Sequence, residues 1–590
     1  MKKLSCFLVF NFLLAAHVPA APNPASSSFV HLTGREWLTM DPANAFDTVS
    51  FILTGNVYES LITFRDARTV DSFEPFLAAQ VSDLSNGLLS SDLMIYRFPI
   101  RQDVYFHDGS TMTAQDVQYS FLRYMLTDTE GGPAGLLLNP ILGVSSTRDA
   151  SGKIVVSFKE AAAAVRVKDN DLVITLKKPD AAFLSLIASL PIVTSKKWAI
   201  AHGEWDGREE TWSKINNRPA AASYFHQNMN GTGPFKLEKI DRQGKQVILT
   251  RHEKYWRSAA ALEKVYFKTV TSPGVRLLML EAGDADSGYL EPSQWPRLQR
   301  LKGIHLVSEL PAHHLGEVFF FNFNIDARDN EFLGSGRLDG QGIPPDFFTN
   351  PDIRRAFALA FDYAKFFNEG MGRRATRACG PVPRDLPFGD KGEFCFEQNI
   401  KKAEELFQKD WHSGLWHDGF TLSVAYSADN ATRQAAAEIF KESMEKLNPK
   451  FKIKIHPLPS PEFYEALEAR KLPIFIAGYA ADYPDARSYV SGLVHSQGYF
   501  PRFQGYANAK ADSLIEEISS LADPKERFAR YRRVSQIVSE DLPQFYTYSP
   551  KEFRVCRDWV LNCGSQDNTN NLHFNNYPYF YAYSKKDSRP

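Results

Sequence analysis

The segment from residue 420 to residue 481 alternates strand patterns with helix patterns, and this order constrains the fold more than any other feature of the chain. The strand candidates are FTLSVAYS at 420–427, FKIKIH at 451–456 and PIFIAGYAA at 473–481. The helix candidates, with apolar residues at helical spacing, lie at 430–448 and 460–470. This β–α–β–α–β order predicts an α/β lobe whose sheet is flanked by helices.

Two acids, Asp482 and Asp485, follow the last of these strands in the stretch GYAADYPDA. In open α/β sheets, ligands bind near the carboxyl ends of strands, so these carboxylates could bind a ligand. The alternative is a turn in which Asp and Pro satisfy backbone amides. The residues alone leave both interpretations open.

Further helices are predicted at 350–370, at 523–543 and after Thr113. In the first of these, Asn350 is a suitable N-cap and Gly370 a suitable end. Thr113 precedes a helix with Asp116 at its third position, which is the pattern of a capping box. His107, which lies six residues before Thr113 and beside Asp108, is therefore interpreted as part of a structural turn.

The chain has 590 residues, which predicts two to four domains or lobes. Its 68 basic and 69 acidic residues nearly balance, so nothing in its charge favours binding to nucleic acid.

The amino terminus, MKKLSCFLVFNFLLAAHVPA, predicts a secretory signal peptide over residues 1–20, cleaved after Ala20. The alternative is an uncleaved anchor, but the apolar run is shorter than the ~20 residues that span a bilayer. Cys6 precedes the apolar run, unlike the lipidated cysteine of a lipoprotein. We therefore expect an exported protein, free in the periplasm of a cell with two membranes.

Four cysteines remain after cleavage, and an oxidising compartment favours disulfides among them. We predict local pairing, Cys379 with Cys395 and Cys556 with Cys563. A zinc site built from all four cysteines is the alternative, although their spacing does not resemble paired zinc knuckles.

Catalytic signatures are mostly missing from the sequence, so we predict a protein that is not an enzyme. It contains neither a G-x-S-x-G elbow nor a phosphate-binding P-loop. The segment HEKYW begins like a zinc-protease motif at His252 but has Trp256 where the second histidine would stand. A pair of catalytic carboxylates, as in a glycosidase, stays open because their separation depends on the fold. We predict no cofactor.

Several segments, in order along the chain, resemble the peptide/nickel type of extracytoplasmic solute-binding proteins, family 5, which feed ABC importers. The segments are MDPANAFDTVSFILTGNVYESLI at 40–62, YRFPIRQDVYFHDGSTMTAQDVQYSF at 96–121, GTGPFKLEKIDRQGKQVILTRHEKYW at 231–256, VFFFNF at 318–323, NPDIRRAFALAFD at 350–362, YANAKADSLIEE at 506–517 and RYRRVSQIVSEDLPQFYTY at 530–548.

The resemblance implies a fold of the type II periplasmic-binding-protein kind, cluster C: two α/β lobes joined by a hinge, with an extra domain. The first lobe would comprise residues 21–61, 228–325 and 546–590, the extra domain residues 62–227, and the second lobe residues 326–545. Ligand would bind between the lobes, which would close over it.

The resemblance also implies which residues bind the ligand. Peptide binders of this family pair a carboxylate with the ligand's ammonium group, and Asp482 matches that position, which leaves Asp485 as the turn residue. Ala480 and Ala481 would line the same wall, with Tyr479 where the family often has Trp. Asn44 would belong to the opposing wall, and Arg487 is a candidate for a ligand carboxylate.

By this resemblance the protein is the periplasmic component of an ABC importer for short peptides, a monomer that delivers its ligand to a permease in the inner membrane. Alternatives within the family are a nickel chelate, an oligosaccharide, an opine or a cell-wall peptide. Alternatives outside it are a secreted hydrolase and a chaperone-like scaffold.

Overall fold

A seven-stranded sheet and a five-stranded sheet form the frameworks of two lobes. The structure is a computed structural model, and it describes residues 27–65, 71–149, 151–310, 314–409, 414–428, 430–521, 523–563 and 579–586. The predicted signal peptide at 1–20 lies outside the described residues.

The strands, in chain order, are β1 Ser28–Thr33, β2 Ile62–Phe64, β3 Phe73–Pro75, β4 Ile95–Pro99, β5 Val165–Lys168, β6 Asp171–Thr175, β7 Phe235–Asp241, β8 Gln246–Arg251, β9 Lys264–Thr269, β10 Ser287–Gly288, β11 Ile304–Leu310, β12 His314–Phe321, β13 Ala375–Arg377, β14 Phe420–Ser427, β15 Phe451–Leu458, β16 Ile474–Ala480, β17 Gln544–Tyr546, β18 Tyr548–Pro550, β19 Glu552–Arg557, β20 Val560–Leu561 and β21 Ser584–Lys585.

The α-helices, in the same order, are α1 Thr48–Val57, α2 Ala114–Thr127, α3 Gly135–Leu142, α4 Phe158–Ala164, α5 Phe183–Ala188, α6 Lys196–Ala201, α7 Pro273–Ala282, α8 Trp295–Leu298, α9 Pro351–Ala360, α10 Tyr363–Lys365, α11 Ile400–Gln408, α12 Leu415–Asp418, α13 Ala431–Leu447, α14 Ser460–Glu468, α15 Ala486–Leu493, α16 Tyr499–Gln504, α17 Ala509–Ile518 and α18 Pro524–Asp541. None of the helices in the described ranges is both long and apolar enough to cross a membrane.

The first lobe is built on the sheet β11-β19-β10-β1-β9-β8-β7. Its central strand, β1, runs parallel to both of its neighbours, β9 and β10. Phe29 on this strand is fully buried, in a cluster that also contains Phe235, Phe267 and Phe580.

The second lobe is built on the sheet β15-β14-β16-β12-β17, in which β14 lies parallel to both β15 and β16. Helices cover both faces, so its strands are apolar at successive positions. On β12, Phe319 and Phe321 enter one core while Val318 and Phe320 enter the other. The predicted β–α–β–α–β order over 420–481 is confirmed.

The chain crosses between the lobes where β11 gives way to β12, and it returns before β19. Strand β12 pairs with β16 and β17 in the second sheet, and β19 pairs with β11 in the first. Strand β12 thus lies in the sheet of the second lobe, although the prediction placed it in the first-lobe segment 228–325, because an apolar strand fits either sheet equally well by pattern. The domain boundaries themselves stay predictions.

An extra domain is built around the sheet β4-β6-β5. Its core combines residues from β4 with α2 and α5, including Phe98, Phe121 and Phe183, all of them buried. Helix α2 begins as predicted, because Thr113 and Asp116 form a reciprocal capping box. His107 lies at the border with the first lobe, where its Nε2 is 3.0 Å from the carbonyl oxygen of Gly233.

The helix predicted at 350–370 is divided. Helix α9 ends at Ala360, Phe361 is extended, and Asp362 caps a new short helix by accepting a hydrogen bond from the Lys365 amide at 2.8 Å. An internal aspartate can compete with the helix by capping a later one, and this outweighs the continuous apolar stripe.

Both predicted disulfides, Cys379–Cys395 and Cys556–Cys563, are formed. The first closes the loop after β13, and the second ties β19 to the residues after β20. In the described ranges, no group of three or more histidines, cysteines or acids is arranged to hold a metal ion.

A buried ion pair joins the first lobe to the extra domain. Arg123 on α2 donates to Oδ1 of Asp41 at 2.6 Å and to Oδ2 at 2.7 Å, and both side chains are almost completely buried. Ser223 adds a hydrogen bond to Asp41 at 2.7 Å. Burial alone would raise the pKa of Asp41, but the Arg123 charge and these hydrogen bonds keep it below its ordinary value.

We expect Arg123→Met to lower the free energy of unfolding by about 3–5 kcal/mol, because it leaves the Asp41 carboxylate buried without its counter-charge. Urea unfolding followed by circular dichroism would measure this loss. The control is Arg97→Met, which breaks the more exposed Arg97–Asp171 pair and should cost less than about 1 kcal/mol. Equal losses in both variants would contradict the special role of the buried pair.

Candidate ligand-binding cleft

The loop that follows β16 lies between the second lobe and the extra domain. Tyr483 is half-buried and packs against the core of the extra domain. Close by, the Ala181 amide of the extra domain donates to the carbonyl oxygen of Ser519 on the second lobe, at 2.9 Å. The carboxyl end of β16 therefore faces a cleft between two parts of the molecule.

Asp482 occupies this cleft with an unpaired carboxylate. Its side chain is exposed to solvent, yet the surrounding protein raises its pKa to about 6. An accessible carboxyl group that is poorly solvated lies in a recess rather than on an open surface. No hydrogen bond or ion pair from any other described residue reaches this carboxylate. Burial raises the pKa of Tyr124 on α2, and the charge of Asp482 adds to this rise.

Asp485, three residues later, has a structural role. Its side chain caps α15 by accepting from the Arg487 amide at 2.8 Å. The same carboxylate pairs with Arg527 on α18 at 2.9 Å. The turn interpretation is thus confirmed for Asp485, whereas Asp482 lacks such partners.

Strand β16 presents an open edge next to Asp482. Strand β14 pairs with it only from Ile474 to Ile476, whereas β12 pairs with it as far as Ala480. Within the described residues, Gly478 and Tyr479 therefore have no strand partner on the β14 side. An exposed strand edge is a template for an added strand.

The predicted residues beside Asp482 differ in their exposure. Ala480 is exposed and Ala481 is buried. Tyr479 is half-buried, and its hydroxyl donates to the carbonyl oxygen of Ser488 at 3.1 Å. The ring lies edge-on to Tyr489, so Tyr479 supports the wall from behind the strand.

Asn44 lies in the loop that the buried Asp41 organises. Its side-chain amide donates to Oδ2 of Asp41 at 3.2 Å, and its Oδ1 is buried without a hydrogen-bond partner. A buried acceptor without a donor is costly to the folded protein.

The side chain of Arg487 is bound by another residue of the protein. Its guanidinium forms an ion pair with Asp180 of the extra domain, and both side chains are largely buried. Another arginine, Arg433 at the start of α13, lies beside the open edge. Its Nη2 is 3.5 Å from the position that a Cβ on Gly478 would take, and its buried Nε has no hydrogen-bond partner.

The chain matches the family described as bacterial extracellular solute-binding proteins, family 5 Middle, over residues 73–501. It belongs to this family.

As a family 5 solute-binding protein, the chain is 22% identical over 520 residues to the dipeptide-binding protein DppE of Bacillus subtilis, covering 86% of this chain and 84% of that protein. It is 25% identical over 541 residues to heme-binding protein A of Haemophilus influenzae, covering 89% and 87%. The solved structure of the periplasmic binding protein DppA from Helicobacter pylori, in complex with the peptide STSA, has a TM-score of 0.70 and 20% identity, covering 95% of this chain and 98% of that one. The two-lobe α/β fold is confirmed.

Sequence analysis of this solute-binding protein missed three residues that shape the cleft: Asp180, Arg123 and Arg433. Asp180 carried a local signal, because an aspartate can accept from the amide two residues later and form a turn, as it does here with the Ala182 amide at 3.0 Å. No sequence signal predicted its pairing with Arg487, because the two residues are distant in the chain.

We expect Asp482→Asn to raise the midpoint of thermal unfolding at pH values near 7.5. A folded-state pKa of about 6, above the ordinary value near 3.8, means that the charged carboxylate disfavours the folded state above that pKa. The gain should shrink as the pH falls through about 6 and vanish well below the ordinary pKa of 3.8, where the carboxyl is protonated in both states. Differential scanning calorimetry across this range measures it.

The matched control is Asp485→Asn, in the same loop. This variant loses the pairing with Arg527 and weakens an N-cap, so its unfolding midpoint should fall. If Asp482→Asn also lowered the midpoint at neutral pH, the Asp482 carboxylate would be a structural partner rather than an unpaired charge.

Proposed function

We propose that the protein is the binding component of an ABC importer and that it holds short peptides by their free amino terminus in the cleft between the lobes. The observation that carries the proposal is the unpaired Asp482 carboxylate at the end of an open strand edge. The protein would act in the periplasm as a monomer, and its task would be to bind and deliver the peptide, with no chemical step.

The charge of Asp482 suits an ammonium group. A peptide amine loses its hydration in a cleft and needs an opposite charge there to offset that loss. The pKa of Asp482 is raised to about 6 because its carboxylate is poorly solvated and has no positive partner. The ammonium group of a peptide would supply that positive charge. A charge-assisted hydrogen bond between them is stronger than a neutral one.

The open edge of β16 suits the rest of the peptide. The backbone of an extended peptide can hydrogen-bond, as an added strand, to the unpaired segment around Gly478 and Tyr479. These hydrogen bonds do not depend on the side chains of the peptide. The unpartnered Oδ1 of Asn44 would accept from the opposite side. This arrangement favours peptides over heme, although one relative carries the name heme-binding protein A.

Arg433 is better placed than Arg487 to bind the carboxylate of the peptide. The Arg487 guanidinium is already paired with Asp180. The guanidinium of Arg433 lies beside Gly478, four residues before Asp482, and makes no hydrogen bond or ion pair within the described ranges. Burial raises the pKa of the nearby Glu317 to about 7, and the Arg433 charge opposes this rise. An arginine on the same wall as Asp482 gives the cleft opposite charges that match a zwitterionic ligand.

Peptides with a free amine should bind at least about 100-fold more tightly than the same peptides N-acetylated, because acetylation removes the charge that Asp482 requires. Isothermal titration calorimetry with trialanine and acetyl-trialanine tests this difference. In Asp482→Asn the two affinities should converge. The control is Asn44→Ala, which should weaken both peptides by similar factors, and equal affinities in the unaltered protein would refute the amine anchor.

Arg433 makes the corresponding prediction at the other end of the peptide. Trialanine should bind at least about tenfold more tightly than its C-terminal amide, because the amide lacks the charge that a guanidinium pairs with. Arg433→Gln should abolish this preference and leave the discrimination against acetylated peptides intact. Retention of the acid-over-amide preference in Arg433→Gln would assign the carboxylate to another residue.

A further inference from the structure

An ion pair connects the extra domain to the second lobe next to the cleft. The Arg487 guanidinium, on the first turn of α15, meets Oδ2 of Asp180, which precedes α5. Their side chains are 20% and 6% exposed, so solvent has little access to the contact. The partners belong to different parts of the molecule, and the contact exists only while those parts are together.

Each partner is held in place by contacts within its own domain: Asp180 within the extra domain and Arg487 within the second lobe. Asp180 accepts from the Ala182 amide at 3.0 Å through Oδ1, and its carbonyl oxygen accepts from the Tyr96 hydroxyl at 3.0 Å. Arg487 is fixed by its place on α15, whose start is capped by Asp485. Oδ2 of Asp180 is thus the acceptor that remains for the second lobe.

Two further contacts surround the pair. The Ala181 amide donates to the Ser519 carbonyl oxygen across the same boundary at 2.9 Å. The ring of Tyr483 packs against the core of the extra domain. A charged pair, a backbone hydrogen bond and an aromatic contact therefore occur together at the closing side of the cleft.

We propose that Asp180 and Arg487 form a latch that holds the cleft closed without touching the ligand. Both are positioning residues: they slow the release of a solute from Asp482 by stabilising the closed arrangement. The kinetic part rests on the proposed function, because release needs a solute, whereas the conformational part does not.

The energetic argument concerns what happens when one partner is missing. A buried ion pair can be nearly neutral relative to two solvated ions, but removing one member leaves the other charge buried and uncompensated. In Asp180→Asn this penalty falls on Arg487 only in the closed state, because opening the cleft returns the guanidinium to water. The equilibrium therefore shifts toward the open state.

Asp180→Asn and Arg487→Gln test the latch, since asparagine retains the Oδ1 atom that accepts from the Ala182 amide. Each variant should release trialanine about tenfold faster or more, with an association rate that is not reduced. The double variant should be no worse than the single variants, because both remove one interaction. Stopped-flow measurement of release gives these rates, and Arg487→Lys, which keeps the charge, should recover part of the loss.

The matched control is Arg527→Gln, which removes an arginine–aspartate pair from the same loop but within the second lobe. It should lower the unfolding midpoint and leave the release rate within about twofold of the parent. An equally large increase in Arg527→Gln would mean that disorder of the loop, rather than a latch, accelerates release, and would overturn the proposal.

Small-angle X-ray scattering of the ligand-free protein separates this proposal from the proposed function. A larger radius of gyration in Asp180→Asn and Arg487→Gln than in the parent supports the latch even if no peptide binds. If the scattering and the release rate both stay at the parent's values, the latch is refuted, whatever the ligand is. Failure of peptide binding alone would refute only the proposed function.

Discussion

The buried pair of Asp41 and Arg123 is the interaction on which the geometry of the cleft depends. It joins helix α2 of the extra domain to the loop that follows β1, and both carboxylate oxygens of Asp41 accept hydrogen bonds, from Arg123 and Ser223. That loop carries Asn44, and α2 carries Tyr124, whose pKa is raised by burial and by the charge of Asp482. One desolvated contact therefore fixes the near wall of the cleft as a unit, so the far wall can move without distorting it.

On the opposite wall of the cleft, neighbouring residues of the loop that follows β16 have different roles. Asp485 caps α15, which fixes the start of the helix that carries Arg487, and it also pairs with Arg527 inside the second lobe. Arg487 reaches the extra domain, while no described residue nearby compensates the charge of Asp482. The cap, which does not involve Arg527, gives Arg487 a fixed direction.

The features that could be predicted from the sequence are those determined by residues close together in the chain. Alternating apolar patterns predicted the second-lobe sheet, and Thr113 with Asp116 predicted a helix start. Local spacing also gave both disulfides. What it could not predict depends on pairs that are far apart in the chain: no pattern near Arg487 specifies Asp180, and none near Asp41 specifies Arg123. The sheet that β12 joins could not be predicted for a related reason, because the apolar pattern of a strand fits either sheet.

The open edge of β16 has a consequence for the solubility of the protein. An unpaired strand edge on an outer surface invites pairing with other chains and leads to aggregation. Here the edge lies in a cleft whose other wall is the extra domain. The contacts with the extra domain cover this side of the molecule, so the edge is less accessible to the sheets of other folded proteins than an edge on an outer surface would be. This protection matters in a crowded compartment.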